Sequence, residues 1–577
     1  MSRPYALVIR GGTVVDGSGG EPRDADVGIA DGRVAAVGPN LAAGDEEIDA
    51  RGKIVTPGFI DPHTHYDAQA TWSSQITPSS WNGVTTAMMG NCGVGFAPCR
   101  PDQRDTLVEF MEGVEDIPGA VLDEGLPWTW QSFEQFMDAL DARPYDLDIA
   151  AQVPHSPVRV FVMGQRGVER EPATPEDNAA MAELAAAGIR AGALGFSTSR
   201  TLNHKTLDGR PIPTLTAAED ELTAIGLAMG SVGAGWLQVI SDFVDLDEEF
   251  AMLRRVVERC RRPLAITILQ VDRAPDGWRR ILDHIAAANR DGLPIIGQTL
   301  TRATGVLLGF EISINPFSGR PSWEAIAHLP LAEKLKTLRQ PAFRARLFAE
   351  ECANASLARR VSSWDRLYPL GTPPNYEPSD EQSVAAIAAR EGKTPEDVAY
   401  DYLLERDGKA MLYRPVSNYS EGSLDAVGEM LRHPNTLVSL GDGGAHVGML
   451  CDASAFSYML IHWVRDRAVG ERMSLPWAVR RMTRDNALAL GLEDRGLLQP
   501  GYKADLNVID YDKLTLHCPE PVYDLPAGGR RLIQRAEGYV ATVVSGAPVY
   551  RDGEATGALP GRLLRGPQPG PQAGAAA

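Results

Sequence analysis

An α/β fold, a (β/α)8 barrel of the TIM type plus a small β-sandwich domain built from both termini, is predicted by three features of this 577-residue chain. Both ends have the texture of β-hairpins. The middle alternates apolar, strand-like runs with helical stretches, and the runs number eight, as such a barrel requires.

At the N-terminal end, ALVIRGGTVVDG and ADVGIADGRVAAVG place Gly-rich or Asp-Gly turns between β-branched runs, which is hairpin chemistry. ADLNVIDYDKL and YVATVVSGAPVYRDGEAT repeat the pattern near the other end. A lone pair of hairpins has too little to bury, so residues 1–55 and 491–560 are expected to form one domain together. The barrel is expected over 56–490, with strands at 54–60, 84–92, 148–155, 193–199, 235–242, 263–270, 293–300 and 436–442. Helical stretches such as PEDNAAMAELAAAGIRAG and EEFAMLRRVVERCRR lie between them. A long helical passage before the last strand marks an insertion at about 301–430, a lid or side excursion over the barrel mouth. Residues 561–577, ending in GPQPGPQAGAAA, read as a disordered tail.

Hydrophobic residues make up 44% and charged residues 23%, so the chain can bury a core. With 56 Lys+Arg against 76 Asp+Glu the net charge is -20, which argues against nucleic acid as a partner. The six cysteines contain no CxxC pair, which suits a reducing compartment. There is no apolar signal core and no apolar run of about eighteen residues, so no membrane partner is expected. These features describe a cytoplasmic, enzyme-sized protein, with a small-molecule substrate left as the expected partner and a homo-oligomer as the default assembly.

Active sites of such barrels lie at the C-terminal ends of the strands. The first run ends in FIDPHTHYD, where His63 and His65 stand two apart. In extended backbone both side chains leave on one face and can reach one metal ion. The alternative is a pair of solvated loop histidines, but a barrel mouth would otherwise hold two unpaired polar rings. The eighth run ends in SLGDGGAHVG, where Asp442 could ligate the metal, take a proton from water and return it to a leaving group. An Asx turn or helix cap is the ordinary reading of Asp-Gly-Gly. Cys92, at the end of the second run, is either a metal-bridging thiolate or an inert buried thiol. His446 is either a substrate contact or a helix-start residue.

IRGGTVVDG, VTPGFIDPHTH and GLLQPGYKADLNVID resemble the amidohydrolase superfamily, over almost the whole chain. More narrowly, GVTTAMMGNCGVGFAP, HSPVRVFVMG, NYSEG and SLGDGGAH are similar to the N-acyl-D-amino-acid deacylase (D-aminoacylase) family. The resemblance implies zinc-dependent hydrolysis of N-acylated D-amino acids. It makes His63 and His65 the strand-one ligands, Cys92 the bridging thiolate and Asp442 the catalytic acid/base.

The family also has metal-binding histidines on strands five and six. Here those runs read GWLQVISDF and LAITILQVD, offering only Gln238 and Gln270, which are weak ligands for zinc. One divalent metal ion is then held by His63, His65 and Asp442 with Cys92, or a second is completed by His155 and His204. Lys205, a conceivable carbamylated bridge, lies several residues beyond its strand. A cationic clamp for a substrate carboxylate is sought among Arg200, Lys205, Arg302 and Arg414. The alternatives are a cyclic amide, imide or lactone hydrolase or small-peptide amidase on the same site, and an impaired barrel acting as a binding subunit.

Overall fold

The computed structural model describes residues 3–571. Eight parallel strands form the barrel wall in sequential order: β1 (Phe59–Asp61), β2 (Val84–Met89), β3 (Asp148–Pro154), β4 (Gly195–Arg200), β5 (Trp236–Ser241), β6 (Leu264–Thr267), β7 (Ile295–Thr299) and β8 (Thr436–Val438). Strands covered on both faces need near-continuous apolar or small residues, and β2 and β3 are buried at every position. The crossovers carry their own start signals. In the helix Pro175–Arg190, Thr174 Oγ1 accepts the Asp177 N–H (3.2 Å) while Asp177 accepts the Thr174 N–H (2.9 Å).

Ladder pairing runs from β1 round to β8, and one side chain bridges the seam between them. Asn486 Nδ2 donates to Ile60 O on β1 (2.8 Å) and to Val438 O on β8 (2.7 Å). Beyond the strand ends, the Asp442 N–H donates to His63 O (3.1 Å) and the His65 N–H to Gly443 O (2.8 Å). The seam therefore brings the strand-one and strand-eight loops into register.

The expected first strand, 54–60, is in fact two strands. Ile54–Pro57 belongs to the terminal domain, pairing antiparallel with Leu506–Ile509, whereas β1 begins at Phe59. The chain changes sheets at Gly58, where a Cβ would lie 2.1 Å from Thr85 Oγ1, so only glycine fits this close approach. The terminal domain is a nine-stranded sheet drawn from both ends of the chain. Its face buries Val27, Val55, Leu506, Val508 and Val543.

Between β7 and β8 the chain builds a three-stranded sheet, Gly305–Leu308, Leu412–Pro415 and Tyr368–Pro369, with helices packed on it. A separate cluster including Phe310, Phe317, Trp323, Leu347 and Tyr400 forms its core.

The disordered tail expected from residue 561 onward needs correcting as far as residue 571. Tyr145 and Gly561 exchange backbone hydrogen bonds, and the Leu564 N–H donates to Ile149 O (2.7 Å). Leu564 is buried beside Ile60, Ala150, Trp236 and Leu437. Two adjacent leucines anchor a segment whose Pro and Gly content alone suggests disorder. Residues 572–577 lie outside the described residues. Among the described residues, no helix is long and apolar enough to cross a membrane.

Barrel and terminal domain are joined by buried charges. Asp148 Oδ2, at the start of β3, lies 2.7 Å from Arg495 Nη1 and 3.0 Å from Lys503 Nζ, and Lys503 also meets Asp505 Oδ1 at 2.6 Å. Burial alone would raise the Asp148 carboxyl, but Lys503 and Arg495 outweigh it and hold it down to about 2. Its ionisation therefore adds stability above the ordinary carboxylate pKa, and that stability fades as pH falls from about 4 towards 2. Asp148→Asn leaves two buried cations short of a partner and is expected to destabilise the fold by about 3–5 kcal/mol, read by urea denaturation at pH 7. A midpoint unchanged from wild type would contradict this role.

Candidate metal centre

The loop leaving β1 is pinned before it presents any side chain. The His63 N–H donates to Asp61 Oδ1 (3.1 Å), Thr64 donates through N–H and Oγ1 to Met88 O (2.9 Å each), and Asn91 Nδ2 donates to Thr64 O (3.1 Å). Both imidazoles are buried, with ring centroids 5.4 Å apart. One nitrogen of each and Cys92 Sγ lie within 4.8 Å of one another.

Asp442 completes the cluster from the strand-eight side. Its Oδ1 is 3.6 Å from His63 Nε2 and 3.7 Å from His65 Nε2, and Cys92 Sγ is 3.4 Å from His63 Nε2. Nitrogen or oxygen ligands sharing a tetrahedral cation stand about 3.3–3.5 Å apart, and a sulfur stands about 3.5 Å from a nitrogen. Asp442 Oδ1 is also a buried atom with no hydrogen-bond partner. A buried carboxylate oxygen facing two imidazole nitrogens without a hydrogen bond is what a shared cation would satisfy, so these four residues fit a divalent metal ion.

The rings are aimed from behind. His63 Nδ1 is 3.1 Å from Gln298 Oε1, at the end of β7; a proton on Nδ1 donated to this oxygen would leave Nε2 free to ligate. His65 Nδ1 is 3.2 Å from Glu115 Oε1, an ion-pair distance that does not meet hydrogen-bond geometry. Three positions around the cluster hold left-handed backbone: Cys92 (φ 57°), Asp442 (φ 45°) and His446 (φ 49°). Such strain in non-glycine residues concentrates where a site requires a particular side-chain direction.

Burial lowers the His63 ring to about 4, opposed by Asp442, which leaves it neutral and ready to coordinate. Burial pushes the Cys92 thiol up to about 11, so a thiolate there needs a cation beside it. Burial would also raise Asp442, but the His65 and His63 rings hold it down to about 2. Asp61, beneath the cluster, is pushed up to about 8 by burial, and its Oδ2 has no hydrogen-bond partner.

The other sequence candidates are placed differently. Gln238 Oε1 accepts the Cys92 N–H (3.0 Å) and its Nε2 donates to Thr267 Oγ1 (3.4 Å), so it supports the Cys92 turn. Gln270 Oε1 accepts the Ser420 N–H (3.1 Å) and its Nε2 donates to Pro275 O (3.4 Å), which fixes the insertion to β6. His155 does not join the cluster: its Nδ1 meets Thr198 Oγ1 at 2.9 Å and its Nε2 lies 2.9 Å from Glu221 Oε1, itself paired with Arg159. The strand-three run ends by turning into the helix His155–Met163, which directs the ring into this separate buried network. His204 is half-buried with Nδ1 2.8 Å from Ser199 Oγ, and burial together with His446 and His65 lowers it to about 3. His446 stands on the rim, its Nε2 3.7 Å from Glu115 Oε2.

Of the four carboxylate-clamp candidates, Arg302 is buried against Asp452 and Arg200 is paired with Glu249. Lys205 is exposed. Arg414 is half-buried on the insertion strand Leu412–Pro415, and its Nε has no hydrogen-bond partner.

Glu115 escaped the sequence reading. It ends the helix Arg104–Glu115, followed by Asp116 in left-handed backbone (φ 53°). Two consecutive acids at a helix C-terminus oppose the helix dipole, and that was the available signal.

The chain matches the model of the Amidohydrolase family over residues 46–550. It is 27% identical over 569 residues to D-aminoacylase of Alcaligenes xylosoxydans xylosoxydans, covering 98% of each chain. It is 26% identical over 569 residues to the N-acyl-D-glutamate deacylase of the same organism, covering 98% of this chain and 97% of the relative. Among solved structures, a crystal structure of D-aminoacylase superimposes with a TM-score of 0.64 at 24% identity, over 97% of this chain and 100% of that one.

Proposed function

This chain belongs to the amidohydrolase family, and from that premise we propose that it deacylates N-acyl-D-amino acids at the cluster of His63, His65, Cys92 and Asp442. It is a hydrolase of carbon–nitrogen bonds other than peptide bonds. The substrate class is supported by the similarity to D-aminoacylase and N-acyl-D-glutamate deacylase, and the observation that carries the reaction centre is Asp442 Oδ1, buried, without a hydrogen bond, and set between His63 Nε2 and His65 Nε2.

His63, His65, Cys92 and Asp442 would hold a divalent cation, zinc by the chemistry of these ligands, and it would supply Lewis-acid polarisation of the scissile carbonyl and lower the pKa of water towards about 7. The rest falls to the chain. Gln298 keeps His63 in the tautomer that leaves Nε2 free. The Asp442 carboxylate, ionised in its setting, takes the proton of the attacking water and returns it to the departing nitrogen. Gln238 and Gln270 hold loops with both ends of their amides, which supports one tightly held cation rather than two.

We assign the substrate carboxylate to Arg414, which is half-buried with an Nε that has no hydrogen-bond partner. Its strand leads into Asn418 and Ser420, which hydrogen-bond to Gln270 at the end of the β6 run. Arg414→Ala is expected to raise KM about 10–100-fold with kcat within a few-fold, the scale of one hydrogen-bonded ionic contact. Steady-state kinetics reads this directly; a lower kcat at unchanged KM would remove Arg414 from substrate binding.

The activity is tested on a panel of N-acyl-D-amino acids, their L-counterparts and cyclic amides, using metal-loaded protein. Hydrolysis of D-configured members is expected. Inactivity on every one of them would overturn this reading.

A further inference from the structure

We propose that Glu115 is a positioning residue for the cation site, fixing His65 as an Nε2 ligand and tying it to His446 of the strand-eight loop. The proposal rests on the cation reading of the cluster. Glu115 is buried at 1% exposure, and its two carboxylate oxygens face different rings: Oε1 lies 3.2 Å from His65 Nδ1 and Oε2 lies 3.7 Å from His446 Nε2. Its backbone carbonyl accepts the His446 N–H, and Asp116 Oδ2 accepts the Gly448 N–H (3.1 Å). Side chain and main chain together therefore grip the loop that follows Asp442.

The helix that carries Glu115 is itself held in place. It approaches the loop after β4 so closely that a Cβ at Gly113 would lie 2.3 Å from Lys205 O. A carboxylate on the rear nitrogen of a ligating histidine holds the proton there, turns the front nitrogen to the cation and increases its basicity; losing such a partner costs about 10–100-fold in affinity. Here the same carboxylate also reaches the rim histidine. It thus links ligand geometry on the strand-one side to the placement of His446 on the rim.

The test compares zinc affinity of wild type and Glu115→Gln by chelator competition, alongside 15N-histidine NMR of zinc-loaded wild type. The expected results are a 10–100-fold loss of affinity in the variant, and in wild type a His65 ring protonated at Nδ1 with Nε2 on the metal. A folded Glu115→Gln with wild-type affinity would overturn the proposal. So would a wild-type His65 that binds zinc through Nδ1, a result that stands even if the variant does not fold. Wild type that binds no divalent cation would instead overturn the cation site itself, and this proposal with it.

Discussion

His63→Ala is expected to abolish cation binding and to reduce kcat/KM by at least about a thousandfold, since the Lewis-acid contribution lost is several kcal/mol. His63 is central to the cluster, with Nε2 3.4 Å from Cys92 Sγ and 3.6 Å from Asp442 Oδ1. Without it the remaining ligands surround a gap. The fold should survive: the substitution leaves Gln298 Oε1 without its ring partner, which costs about 1–3 kcal/mol. Metal analysis and thermal melting of the same preparation separate the two effects. A variant that keeps both its cation and its activity would exclude His63 as a ligand.

Asp442→Asn should lower kcat by about 100–10,000-fold, the range for removal of a positioned general acid/base, while KM changes little. Asparagine preserves the shape and can still offer an oxygen to a cation, but it cannot accept and return a proton at neutral pH. Some weakening of metal affinity is expected as well, so kinetics must be measured at saturating metal. Near-wild-type kcat under those conditions would assign the proton transfer to another group. His446, on the rim, is then the next residue to test.

What could be read from the sequence is what local spacing determines. His63 and His65 are two residues apart on extended backbone, so their common direction follows from strand geometry. The strand-like runs also stand out, because strands covered on both faces leave uninterrupted apolar text. Gly58 is not legible locally: one continuous run serves two sheets, and the need for glycine arises from Thr85, a residue of another strand. The tail misleads because Leu563 and Leu564 are outnumbered by Pro and Gly around them, yet they carry the packing.

Glu115, Gln238 and Gln298 reach the site only through tertiary contacts. Gln238 meets Cys92 across 146 residues, and Gln298 meets His63 across 235. No periodicity encodes such pairings. The absence of strand-five and strand-six histidines was visible in the sequence. Its structural meaning lay in the hydrogen bonds that occupy Gln238 and Gln270.

One cation, held by His63, His65, Cys92 and Asp442, is proposed to support hydrolysis. The most direct test is to strip the protein with a chelator and titrate zinc back while following bound metal and hydrolysis of an N-acyl-D-amino acid together. Activity is expected to rise linearly and to saturate at one equivalent per chain. Full activity in the stripped protein, or a rise that continues to two tightly bound equivalents, would contradict it.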